Sequence, residues 1–481
     1  MNVIDGFIVG LPAAAAIASL VLPSRLSRSV TACAGLATAA CIVVAVLQTS
    51  GHRGEHDALS AVFLLPVAIV YGAVGLYAHW YVAEESPDGG PGEAFRREFL
   101  ALTNAFAFVE VIVPLVTNIP GMWVALEATT IVAALLVRLQ GTPAALEAAW
   151  KYILIASCGL ALGLVAVIIL YAAGARALGT HYAPEWSSYV HFARQLDPDG
   201  VRLAFIFALI GFGTKMGLAP MHTWLPDAHG AGPTPTSAML SGVVLSDAAY
   251  VILRFAAIAN AALGSTVVSR MFIGVGLLSL FVAAFFLLQQ RDIKRMLAYS
   301  SIEHMGIAAI GFGFGAPLAV AGALLHVVNH SASKSVAFFA AGRMAARYQT
   351  REIAGIAGSV DTLPISGTLF AAAALSLAGL PPFGIFRSEL MILTAGFGSP
   401  FWIVAAFVLA LLLVAFAGIT RWVTATTVGD APATVERGEH ALLPIVGMGL
   451  GFCVILGLGI GVPLVLQTLL ADASALIGTT S

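Results

Sequence analysis

Charge is scarce in this chain. Asp, Glu, Lys and Arg make up 10% of its 481 residues and hydrophobic residues 59%. Soluble globular domains carry about 25% charged residues, so the composition excludes one and points to a polytopic membrane protein. The net charge of -2 gives no basic field for a nucleic-acid partner. Cysteine is nearly absent: Cys33, Cys41, Cys158 and Cys453 fall singly in apolar runs, without a CxxC pair. Iron–sulfur or zinc ligation by this chain alone is therefore not expected, and the four thiols are read as small buried hydrophobes. Long polar segments are lacking too. The longest loops, 82–98, 175–200, 343–363 and 425–440, leave no room for a catalytic domain. The 175–200 stretch, with His181, Glu185, Trp186, His191 and Arg194, reads as a connector at the outer interface. No nucleophile elbow, kinase set or Walker lysine appears, so no cofactor is expected. The glycine runs 311–316 and 457–462 lack a strand–turn–helix setting and suit close helix packing.

What the chain has is apolar runs. A spanning helix needs about 20 such residues, and fourteen candidate segments occur, from 5–22 to 441–470. The first has no basic residue before it and carries Asp5, so it reads as a retained helix and not a cleaved leader. Fourteen Lys or Arg residues fall in loops after odd-numbered segments and six, including Arg53, after even-numbered ones. That bias places odd loops in the cytoplasm and both termini outside. The expected setting is a prokaryotic plasma membrane.

A few ionisable residues interrupt the runs, and each is costly. A charge near mid-bilayer costs about 2.5–3.5 kcal/mol on insertion scales, so such residues mark sites by default. Lys215 sits in LAFIFALIGFGTKMGL, just before Pro220. Glu127 lies mid-helix in GMWVALEATTIVAALLV. If the two approach, each holds the other charged, and a pair that is made and broken acts as a proton switch. The competing reading is a static ion pair. His326, His330 and Lys334 are spaced by four along one helix face, which suits a proton relay. Zinc on the HxxxH and polar helix–helix glue are the alternatives, although no third ligand is near in sequence. Glu389 is either an exit-side proton site or the partner of Arg387. His304, Glu303 and Glu110 are weaker candidates. His222 and His229 flank Trp224 and Asp227 beyond Pro220, where they line a cytoplasmic uptake route or anchor an interface. Gly217-Leu218-Ala219-Pro220 recurs as Gly379-Leu380-Pro381-Pro382, 162 residues later. Helix breaks at matching positions point to paired repeats with a mid-membrane site.

Three stretches carry a family resemblance: GTKMGLAPMHTWLPDAHGAGPTPTSAML (213–240), RDIKRMLAYSSIEHMG (291–306) and HVVNHSASKSVAFF (326–339). They resemble the antiporter-like, proton-translocating membrane subunits of complex I, Mrp antiporters and membrane-bound hydrogenases. ALEATT, AYSSIEHMG and GLPPFGIFRSE look most similar to the F-type subunit of hydrogenase-4 and formate hydrogenlyase. The resemblance implies an all-α protein of about 14 transmembrane helices, with two inverted five-helix repeats and broken helices near 201–230 and 364–395. The implied organisation is 1–98 for helices 1–3, 99–262 and 263–424 for the repeats, and 425–481 for a loop and the last helix. It also implies proton translocation through Glu127, Lys215, the 326–330–334 relay and Glu389. Where many members carry an eighth-helix lysine or histidine, this chain has Ser246 beside Asp247. The expected path therefore runs Lys215, Ser246/Asp247, His304, His326/His330/Lys334, Glu389. Redox chemistry would belong to partner subunits, reached through other membrane subunits. A stand-alone cation/proton antiporter remains the alternative, and a membrane anchor with vestigial charges is a third reading.

Overall fold

The computed structural model describes residues 3–51, 56–84, 92–179 and 182–478. Arg53 and His181 lie outside them. The protein is 84% helical, with no strand among the described residues. Six helices open the chain: α1 (Val3–Val21), α2 (Ser24–Ser50), α3 (Ala58–Glu84), α4 (Glu93–Leu115), α5 (Ile119–Arg138) and α6 (Pro143–Leu178). A short α7 (Trp186–His191) precedes α8 (Pro198–Met216) and α9 (Trp224–Ala231). Then come α10 (Thr234–Met239), a π-helical turn at Leu240–Val244, and α11 (Leu245–Leu263). The second half holds α12 (Ser265–Leu287), α13 (Ile293–Phe314), α14 (Pro317–Tyr348), α15 (Ser359–Thr362), α16 (Pro364–Leu377) and α17 (Gly384–Phe397). It closes with α18 (Trp402–Thr427), α19 (Leu442–Ile460) and α20 (Leu464–Leu476).

Among the described residues, eleven helices are long and apolar enough to cross a membrane, counting 198–231 and 234–263 as one each. The others of the expected fourteen do not pass that test on their own. At 14 residues each, α16 and α17 are too short. The long helices α13 and α14 are diluted by Glu303 and His304 and by His326, Asn329, His330 and Lys334. Of those eleven, α3 and the α10–α11 unit are the most deeply buried, whereas α1, α18 and α19 present wide apolar outer faces. In lipid an apolar outer face is satisfied by acyl chains. This corrects the reading of the cysteines: Cys33, Cys158 and Cys453 lie on the outer surface and Cys41 is only half-buried. An apolar run predicts a membrane setting, not which side of the helix faces protein.

Chain entries into the helices follow from side-chain caps. Asn118, Thr142, Asp197 and Asp292 each accept hydrogen bonds from backbone N–H groups in the first turn of α5, α6, α8 and α13. The start of α16 is capped from a distance. Glu439 accepts from the Ile365 and Ser366 N–H groups at 2.9 and 2.7 Å and pairs with the buried Arg343 at 3.5 Å. Glu439→Ala is expected to lower stability by about 1–2 kcal/mol, the usual worth of such a cap, checked by thermal unfolding in detergent.

The glycine runs split. Gly311 and Gly313 are packed so tightly that an added Cβ would strike a neighbouring helix, and at Gly459 it would strike the Pro382-Phe383 backbone, but Gly457 and Gly461 face open space.

Candidate functional site

The site begins where α8 stops. Gly217 adopts a left-handed φ of 81°. The Gly217 N–H bonds to the Thr214 carbonyl at 3.2 Å and the Leu218 N–H to the Gly213 carbonyl at 2.8 Å. This paired pattern ends a helix on a glycine. The same pattern closes α16: Gly379 has φ 70°, and its N–H and that of Leu380 bond to Ser376 and Leu375 at 3.0 and 3.2 Å. Each break contains a cis peptide bond, Ala219-Pro220 and Pro381-Pro382. At the first break Trp224 Nε1 donates to the Thr214 carbonyl at 2.8 Å, supplying a partner inside the apolar layer.

Lys215 lies in the last turn of α8, a favourable end for a cation, and is fully buried. Close packing of α8 on α6 puts it there. A Cβ on Gly211 would come within 2.7 Å of the Gly159 carbonyl, so only glycine lets these backbones approach. Lys215 Nζ donates to Thr130 Oγ1 at 2.6 Å and to the Tyr152 hydroxyl at 2.7 Å. Glu127 is half-buried. Its Oε1 accepts from Ser157 at 2.9 Å, and Oε2 has no partner. No ion pair within 4.0 Å joins Glu127 to Lys215. The two are nevertheless electrostatically coupled. The approach envisaged from sequence is thus open in this structure, and Thr130, one turn beyond Glu127 on the same helix face, holds the ammonium instead. Sequence reading missed Tyr152, whose only signal is one hydroxyl in the apolar run of α6.

Ser246 and Asp247 diverge. Consecutive helical residues point about 100° apart. Ser246 Oγ donates to the Gly242 carbonyl at 3.0 Å and lies 3.5 Å from Ser331 Oγ on α14. Asp247 is fully buried, and neither of its carboxylate oxygens has a hydrogen-bond partner. The π turn just before them shifts the register of α11 by one residue, a distortion common at functional sites. Around Ser246 runs a buried hydroxyl seam. Ser331 Oγ donates to the Gly242 carbonyl at 2.5 Å, and Ser241 and Ser301 hydroxyls meet at 2.8 Å.

Beyond the seam, α14 presents its three spaced residues towards α13 and α17. His326 Nε2 lies 3.1 Å from His304 Nδ1, and its Nδ1 lies 2.9 Å from Ser388 Oγ. The His304 and His330 rings are 5.2 Å apart. Lys334 Nζ donates to the Leu297 carbonyl at 2.6 Å and to Ser300 Oγ. Glu303 is buried with Oε2 unpartnered, coupled to both Lys334 and Glu389. Glu389 is 8% exposed, and its carboxylate rests against Gly379, where a Cβ would collide with it. Arg387 instead points away, donating to the Gly459 carbonyl at 3.3 Å, and pairs with no carboxylate. The HxxxH pair does not close on one site: His326 groups with residues of other helices and His330 stays outside that group. Ligand atoms of His304, His326 and Glu389 lie within 4.8 Å of one another, a spacing that could hold a metal ion.

His222 is 9% exposed and His229 fully buried. The His229 ring lies against Phe338 and Trp224 at 5.5 and 6.3 Å, within electrostatic reach of Lys334 and Lys294. The surface opening nearby is formed by other residues. Glu147, Lys151, Asp227, Asp292, Arg295 and Arg351 line, together with three alanines and a glycine, a cavity of about 180 Å³. Asp227 bridges Lys151 at 3.2 Å and Arg295 at 2.5 Å.

Comparison with known proteins agrees with this geometry. Residues 117–414 match the transmembrane family described as NADH:quinone oxidoreductase/Mrp antiporter. The chain is 38% identical over 342 residues to the hydrogenase-4 component F homolog of Methylacidiphilum infernorum, covering 71% of this chain and 72% of that protein. It is 31% identical over 297 residues to NADH-quinone oxidoreductase subunit N of Desulforudis audaxviator, covering 61% and 58%. Among solved structures, a chain of the archaeal membrane-bound sulfane sulfur reductase superposes with a TM-score of 0.86 at 22% identity, covering 99% and 98%. A chain of the Mrp complex of Dietzia superposes with a TM-score of 0.85 at 19% identity, covering 100% and 98%. The antiporter-type helical fold, the broken helices and the match over most of the sequence place the chain in one group: it belongs to the NADH:quinone oxidoreductase/Mrp antiporter membrane family.

Proposed function

We propose that this chain is a proton-translocating membrane subunit of a hydrogenase-4/formate hydrogenlyase-like or complex I-like assembly. The observation that carries the reading is a row of buried ionisable and hydroxyl groups between two helix breaks, with contacts at Ser246–Ser331 and His304–His326. It runs from Lys215 and Asp247 through Ser246 and Ser331 to His330, His326, His304, Lys334, Glu303 and Glu389. Redox chemistry belongs to partner subunits, which dock through neighbouring membrane subunits. A hydroxyl can pass a proton but cannot store one, so the serine seam separates two stores centred on Lys215 and on Lys334. Protons enter from the cytoplasmic side beneath Asp227 and leave past Glu389, with both termini on the outer face of a prokaryotic plasma membrane. The basic residues gathered around the Asp227 cavity support that orientation. Lys334→Met in the assembled complex is expected to cut protons moved per electron about tenfold or more while leaving a folded complex. A parental ratio would remove Lys334 from the path.

A second reading, cation/proton exchange, is favoured by one observation: the buried carboxylates of Glu110 and Asp247 have no hydrogen-bond partner. Hard cations want oxygen ligands. Na⁺-dependent proton movement by the complex in liposomes would establish that reading.

A further inference from the structure

Three helices bring nitrogen and oxygen ligands to one buried point. His304 comes from α13, His326 from α14 and Glu389 from α17. One ligand atom from each lies within 4.8 Å of the other two. Both histidines are fully buried, and Glu389 is 8% exposed. Ser388 fixes how His326 is turned. Its hydroxyl has a single hydrogen, which it donates to the Ile385 carbonyl of its own helix at 2.8 Å. Ser388 Oγ, 2.9 Å from His326 Nδ1, therefore accepts a hydrogen bond from that nitrogen. A neutral imidazole with its proton on Nδ1 has a bare lone pair on Nε2. That Nε2 faces His304 Nδ1 at 3.1 Å. The other nitrogen of His304, Nε2, has no hydrogen-bond partner. The Glu389 carboxylate rests against Gly379, where any side chain would displace it. The His330 ring lies 5.2 Å from the His304 ring, yet His330 contributes no atom to the group.

We propose that His304, His326 and Glu389 form a binding site for a divalent transition-metal ion of the zinc type, and that a bound ion closes the proton step between the two imidazoles. The second half rests on the reading of the chain as a proton translocator; the first half does not. Two nitrogens 3.1 Å apart, each about 2.0–2.1 Å from an ion, subtend roughly 100° at it, close to a tetrahedral angle. Two imidazoles and one carboxylate are a donor set that zinc takes, with the fourth position left to water. Ser388 supplies the outer hydrogen bond that orients a metal-ligating histidine. Binding needs His304 to carry its proton on Nε2, the nitrogen without a partner, so that Nδ1 is bare. The ring stays neutral in that change. Occupation then engages both facing lone pairs, and neither ring can hand a proton to the other. Glu389 is the one member of the three with any exposure, so the ion enters from its side.

The test uses the assembled complex, stripped of loosely held metal by a chelator and titrated with radiolabelled Zn²⁺. The parent is expected to bind one more Zn²⁺ per copy of this chain than His326→Ala does. His304→Ala and Glu389→Gln should weaken that binding at least tenfold, and Ser388→Ala about tenfold. His330→Ala should leave it unchanged, which separates this three-helix site from one built on the HxxxH pair. Equal binding by the parent and all three ligand variants would overturn the site, and so would loss of the ion in His330→Ala. If a ligand variant fails to assemble, X-ray absorption at the zinc edge of the loaded parent decides. Two imidazole nitrogens at about 2.0–2.1 Å support the site, and a spectrum without histidine scattering overturns it. Added Zn²⁺ should also lower protons moved per electron about tenfold or more in the parent. Unchanged pumping with the ion bound would overturn the block and leave the site standing. Parental pumping in Lys334→Met would instead count against the translocator reading, with zinc binding unaffected.

Discussion

Lys215→Ala is expected to lower proton translocation about 100-fold, the scale on which a positioned proton-transfer group matters, while the helix inserts at least as well as before. The reasoning turns on sign. A buried lysine charge costs about 3 kcal/mol on insertion scales, so removing it relieves insertion and does not threaten it. Thr130 and Tyr152, which hold Nζ at 2.6 and 2.7 Å, lose that partner but can hydrogen-bond elsewhere through rotatable hydroxyls. A purely structural lysine would give the opposite outcome, a less stable protein with transport intact. Lys215→Arg separates charge from proton release. The guanidinium keeps the cation but does not deprotonate, so its pumping should stay near the alanine level. Parallel measurement of proton movement and electron transfer checks both variants, and parental pumping by either would exclude Lys215 as a carrier.

The second large effect is expected far from the proton path. Arg254 of α11 is 1% exposed, and its Nη2 lies within hydrogen-bond range of both Asp57 oxygens at 2.8 and 2.7 Å and of Ser60 and Tyr250 at 3.0 and 2.9 Å, sharing its two hydrogens among them. Trp186 of α7 lies over the guanidinium, 4.0 Å from its ring centroid. This one cation ties α3, α7 and α11 together. Its Nε and Nη1 are already unsatisfied. Asp57→Asn removes the counter-charge and leaves a buried cation, at a cost of about 3 kcal/mol. Replacing the pair together, Asp57→Leu with Arg254→Met, should cost much less, because no charge is then stranded. Thermal unfolding in detergent distinguishes the two. A single variant as stable as the parent would show that the pair contributes nothing net.

The residues that betray the site are legible in sequence for one reason: charge is expensive in hydrocarbon, so Lys215, Glu127, Lys334 and Glu389 stand out in apolar runs. Glu110 and Glu303 stand out equally, but nothing in their own helices says what they face. Tyr152 is invisible by the same logic, since a tyrosine is cheap in an apolar helix. The zinc argument shows the limit from the other side. The HxxxH pair has no third ligand nearby in sequence, yet His304 and Glu389 converge on His326 from two other helices.

Composition and hydropathy alone settle that this is a membrane-embedded helical protein, because no water-exposed surface could tolerate such runs. The matched Gly-Leu-x-Pro breaks are also legible, because a left-handed glycine followed by proline cannot continue a helix. Only the tertiary structure decides which groups meet. Side-chain direction depends on helix register, and a single π turn before Ser246 changes it. That turn sends Ser246 to the hydroxyl seam of α14 and leaves the buried Asp247 carboxylate without a hydrogen-bond partner. Glycine-lined packing of α6 on α8 then brings Tyr152 to the ammonium, and α5 meets it with Thr130, not Glu127.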